Sequence, residues 1–135
     1  MLPSGLPEHI ADEEPLARFL TSSSQFNTVM VKPSAFLPGP TDHKTSVFRH
    51  GNEPRDVLWQ IAAVAIGAQR TVHGAALLAA TVVRSIGLDV EAEEPPDRHA
   101  NIARWPEHAN DPELTRAWRK EHAAVLAQQS ELVRR

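Results

Sequence analysis

The chemistry this sequence offers rests on Lys32, Ser46, Arg49, His73, His99 and Asn101, with His50 beside Arg49. Lys32 and Arg49 bring positive charge, and arginine presents a rigid planar fork that matches a carboxylate or a phosphate. Ser46 and Asn101 add neutral hydrogen-bonding groups. These four are the candidate ligand-binding residues. His73 and His99 are the candidate catalytic residues, because an imidazole moves protons near neutral pH. His73 precedes Gly74 at the head of an expected helix, where the positive dipole end favours the uncharged ring. Asp56 and Asp97 are the nearby acids that could orient a histidine. Each residue also has a plainer role. Lys32 and Arg49 can be solvated charges at strand ends, His73 a capping residue, and His99 part of a turn.

Other chemistries are excluded or unsupported. There is no cysteine, so disulfides, thiolate metal sites and thiol catalysis are removed together. There is no phosphate-binding P-loop, no G-x-G-x-x-G, no H-E-x-x-H and no G-x-S-x-G. The seven histidines show no close ligand spacing on one helix face, so neither a metal nor a cofactor is expected. The net charge of −3 argues against a uniformly basic, nucleic-acid-gripping surface. Arg116, Arg119, Lys120, Arg134 and Arg135 make the C-terminal region basic, yet Trp118 is the single aromatic among them, too little for a base-stacking platform, so nucleic acid is not expected.

These residues need elements to hold them. At 135 residues the chain suits one domain. Residues 1–15 read as a flexible N-terminal arm and 16–135 as a single α+β domain. The acids and proline of 12–15 resemble a helix start, with Leu16, Phe19 and Leu20 as its apolar face. Residues 26–32 are β-rich, so Lys32 would close a first strand and Pro33 end it. The proline-bounded loop 33–40 should pin itself through Phe36. Residues 45–50 form a second strand holding Ser46 and Arg49. Asn52 then caps a helix, largely buried, that ends at Gly67. A second apolar helix is expected over 71–86, stopped by Gly87 with Leu88 as its hydrophobic contact. Residues 88–93 alternate strictly, the clearest strand in the chain. Residues 98–105 follow as another, with His99 and Asn101 on one side and Ala100 and Ile102 on the other. Asp111 and Pro112 open a last helix running to about Leu132, whose C-terminal arginines would complement its dipole. The expected fold is therefore α+β: a small sheet of about four short strands packed against two central apolar helices and a C-terminal helix.

Residues 32–38 (KPSAFLP), 46–49 (SVFR) and 99–102 (HANI) resemble a pattern of small uncharacterised bacterial proteins. In those, a lysine-led Ala-Phe-x-Pro loop precedes an S-V-x-R strand and a later H-A-x-I strand. The resemblance covers roughly 30–105, and it implies that Lys32, Phe36, Arg49 and His99 belong to one module. An excess of arginine over lysine, 11 to 3, fits a bacterial source.

No basic and apolar leader precedes residue 15, and no apolar run reaches the about 18 residues of a membrane span. A cytoplasmic protein without membrane contact is expected. Residues 88–111 carry net charge −5 while 112–135 carry +2, so self-association or a protein partner is a further expectation. The leading functional expectation is a small intracellular binding or accessory protein that recognises a protein partner or an anionic ligand. The alternative is an enzyme acting on a phosphate ester or nucleotide through an Arg/His cluster.

Overall fold

The computed structural model describes residues 2–135. Met1, part of the expected arm, lies outside them. The fold is α+β, built on one six-stranded antiparallel sheet. In chain order the strands are β1 (Pro15–Leu20), β2 (Thr45–Arg49), β3 (Gly74–Ala79), β4 (Asp89–Ala92), β5 (His99–Ala103) and β6 (Glu131–Arg134). The helices are α1 (Arg55–Ile66), α2 (Ala80–Arg84) and α3 (Pro112–Gln129). Across the sheet the order is β4-β5-β2-β1-β3-β6.

Both faces of the sheet are covered. On one, Leu16, Leu20, Val47, Leu78, Ala100 and Ile102 pack with Val83 of α2 and Ala123, Leu126 and Ala127 of α3. On the other, Ala17, Phe19, Phe48 and Ala75 pack with Leu58 and Ala62 of α1. Burial on both faces explains why several strands lack the alternation of a one-sided sheet.

This double burial corrects several expectations. Residues 15–20 are the central strand β1 rather than a helix. So short a segment between Pro15 and a serine run gains little from helix formation, and the strand pairs along its whole length with β3. The expected second apolar helix is β3 followed by the five-residue α2. Gly74 is a poor helix former, and its missing side chain admits the Val133 carbonyl of β6. Only one of the two central helices therefore forms, and even α1 buries just Leu58 and Ala62, with Val64 80% exposed. Asn52 sits in a left-handed turn, and Pro54 takes the cap position. Residues 26–32 form no strand. Asn27 Oδ1 accepts the Val29 and Met30 amides and closes a tight loop with a single bridge, Phe26↔Val31. The last helix stops at Ser130, and residues 131–134 return to the sheet as an edge strand.

Other readings hold. Asp111 caps α3 by accepting the Leu114 amide at 3.0 Å, with Pro112 in the first turn. Gly87 takes φ +87° in the turn after α2 with Leu88 buried behind it, although α2 itself ends earlier, at Arg84 with Ser85 as its cap. Phe36 is fully buried, anchoring the proline loop.

Candidate functional site

Arg18 lies on the central strand, in the same alternating row as Leu16 and Leu20. A cation in an apolar row must find acceptors or escape to solvent. Here β1 and β2 pair only at Leu16↔Arg49 and Ala17↔Phe48. Beyond that point the Arg18 side chain takes the place of the ladder. Its Nε donates to Ala35 O at 2.7 Å and its Nη1 to Ser46 O at 3.0 Å. Both acceptors are neutral carbonyls. Among the described residues Arg18 forms no ion pair. Burial, and then the nearby charge of Arg70, lower its pKa to about 10.

Arg18 lines a recess of about 130 Å³ together with Phe19, Thr21, Ser46, Phe48, Ile66 and Arg70. Arg70 reaches in from the loop after α1, and its Nη1 donates to Thr21 Oγ1 at 3.3 Å. The recess is thus lined by two arginines and two hydroxyl-bearing residues, with Phe19, Phe48 and Ile66 as its apolar wall. No carboxylate lines it.

Behind Ser46 stands His99. Their Oγ and Nε2 atoms are 2.6 Å apart. The other ring nitrogen, Nδ1, lies 2.6 Å from Glu93 O. A carbonyl can only accept, so Nδ1 carries the proton, and in the neutral ring Nε2 is left to accept from the Ser46 hydroxyl. The Phe48 ring, 5.2 Å from the imidazole centre to centre, packs against it. Strand pairing causes this arrangement, since Phe48 opposes His99 and Ser46 opposes Asn101 between β2 and β5. All four project from the same sheet face.

The structure therefore brings Ser46, His99 and Asn101 together and leaves Lys32, Arg49 and His73 apart from them. Arg49 is 1% exposed and fully engaged. Its Nε pairs with Glu14 Oε2, its Nη2 donates to Glu14 Oε1 at 2.9 Å, and its Nη1 donates to Pro7 O at 2.7 Å. It fastens the N-terminal segment instead of facing a ligand. Ser4, hydrogen-bonded to Glu94, and buried Ile10 hold the same segment. His73 is exposed and packs on Phe26 at 6.0 Å, and no helix begins there. Lys32 is exposed at the entrance to a single 3-10 turn. His50 is buried, and its Nε2 has no hydrogen-bond partner. Of the module implied by the resemblance, Phe36, Arg49 and His99 are buried and Lys32 is not.

Arg18, Arg70 and Thr21 escaped the sequence reading. The signal was Arg18 itself. Once 15–20 is a strand, Arg18 is a lone charge between two buried leucines of one row.

Two larger recesses fit an anion less well. One of about 810 Å³ beside β4 is lined by Glu8, Asp12, Asp89 and Glu91, with Arg84 already paired to Asp12 and Asp89. The other, about 420 Å³, is a surface groove between Leu37, Pro38 and Pro40 and the cations Arg116, Arg119 and Lys120. It lacks buried polar groups that would fix a ligand. Among the described residues no three metal-ligating side chains are gathered. No helix is long and apolar enough to cross a membrane.

The fold and recess together define an α+β protein with a doubly covered antiparallel sheet and a small cationic cavity at the split between β1 and β2. No family model, curated protein or solved structure matches the chain.

Proposed function

We propose that this is a binding protein for a small tetrahedral oxyanion, phosphate or the phosphoryl end of a larger molecule, received by Arg18, Arg70 and Thr21 beside Ser46. The observation that carries it is the half-buried Arg18 guanidinium, held at the split between β1 and β2 on neutral carbonyls, with the exposed Arg70 sharing its recess. A charge drawn part-way out of water without a counter-ion is costly, and an anion in the recess compensates Arg18 while pairing with Arg70. A carboxylate has two acceptor oxygens and is satisfied by one arginine fork. Two guanidiniums and the Thr21 hydroxyl suit the larger acceptor count of a phosphoryl group, the Ser46 proton being given to His99. In this reading the N-terminal segment and the Arg49–Glu14 pair serve the scaffold.

The test is isothermal titration of the full chain with inorganic phosphate, with acetate as the comparison anion, supported by thermal unfolding. Phosphate is expected to bind and to raise the melting temperature. At a hundredfold excess over Kd the gain is about 2.7 kcal/mol. Arg70 is exposed, so Arg70→Ala should fold normally and lose most of this binding. Equal responses to phosphate and acetate, or an unchanged Arg70→Ala titration, would refute the reading.

A further inference from the structure

We infer that Ser46 is a nucleophile towards a phosphate monoester held in this recess, with His99 as its general base; the inference rests on the anion site above. Three observations carry it. Ser46 lines the recess together with Arg18 and Arg70. Its hydroxyl lies 2.6 Å from the unprotonated nitrogen of His99. The far side of that ring is fixed by Glu93 O at 2.6 Å, so the base is oriented by a third group. Nucleophile, base and orienting acceptor in hydrogen-bond contact are the signature of an activated serine. Arg70 lines the recess with Ser46, and Arg18, whose row leaves the opposite sheet face, reaches the split between β1 and β2 at the Ser46 carbonyl.

The step is conserved in atoms and charge. Ser46 Oγ attacks phosphorus while its proton passes to His99 Nε2. The P–Oγ bond forms, and the bond from phosphorus to the ester oxygen breaks. The leaving alkoxide or phenolate takes the proton from the imidazolium. A water molecule, deprotonated by the same imidazole, then attacks the phosphoserine, and phosphate leaves as Ser46 recovers its proton. Arg70, with Arg18 held at the Ser46 carbonyl, supplies the positive charge for the peripheral oxygens, where charge accumulates in phosphoryl transfer. The recess of about 130 Å³ accommodates the phosphoryl group alone, so the rest of the ester must extend outward through the opening.

The experiment uses the full chain and para-nitrophenyl phosphate. Nitrophenolate release is followed by absorbance, and acid-quenched samples are digested to locate any phosphoryl adduct by mass spectrometry. The same samples are titrated with inorganic phosphate. The expected result is nitrophenolate release, an adduct at Ser46, and loss of both in Ser46→Ala, a small change at a half-buried position. His99→Gln should slow release by about 10²- to 10⁴-fold while phosphate still binds. Phosphate binding without release or adduct overturns the nucleophile and leaves the anion site standing. Release that survives in Ser46→Ala also overturns it. Absence of both binding and release overturns the two readings together.

Discussion

Glu14→Ala strikes the most buried charge in the molecule. Arg49 is 1% exposed, whereas the Glu14 side chain is 19% exposed. Removing the carboxylate leaves the guanidinium with one of its three bonds, the 2.7 Å contact to Pro7 O. Leaving one member of a buried pair uncompensated costs about 3–5 kcal/mol. At about 2.1 cal/mol/K per residue, the unfolding entropy of this 135-residue chain is about 0.28 kcal/mol/K. The melting temperature should therefore fall by about 11–18 °C. Differential scanning calorimetry of the full chain measures this directly. The double variant Glu14→Ala/Arg49→Met removes the orphaned charge and should recover part of the loss. A fall under about 3 °C, or a double variant no better than the sum of the singles, would show that the pair does not clamp the N-terminal segment.

The remaining predictions concern the sheet and its buried histidine. Burial lowers the His50 pKa below 6.5, with Arg98 and Arg55 acting the same way and the Leu16 backbone and Glu14 opposing. The unfolded chain then holds more protons than the folded one just below pH 6.5, so stability is full above that value and falls as acid is added. Urea midpoints measured from pH 7.5 down to about 5 should show the decline, and His50→Leu should flatten it; an identical pH slope in the variant would contradict the assignment. Gly74→Ala sets a methyl against the Val133 carbonyl and should cost about 1–3 kcal/mol by forcing β6 from β3. An unchanged urea midpoint would mean that the edge strand yields freely.

Much of the fold was legible where a segment's own residues decide its state. The strict alternation at 88–93, the Asp111-Pro112 helix start, the left-handed turn at Gly87 and the anchoring Phe36 are local signals with local causes. Strand β5 could also be read, and with it the shared side of His99 and Asn101. The failures concentrate in segments buried on two faces. PLARFL at β1 and GAALLA at β3 are apolar almost throughout, and such runs carry no period that separates strand from helix. Edge strand β6 is four residues long and continues the helix pattern of α3, so pairing with β3 alone defines it.

For the candidate site the division follows the same line. The sequence by itself determined that no cysteine chemistry operates, that His99 and Asn101 share a side of one strand, and that Ser46 lies on another. Only the tertiary structure decided that β2 lies beside β5, which brings Ser46 to His99. It also decided that Arg49 is spent on Glu14 while Arg18, unnoticed in the chain, lacks any carboxylate. Spacing along a chain records which side of a strand a residue occupies. Strand order and the whereabouts of counter-ions depend on contacts between segments tens of residues apart, which no local pattern encodes.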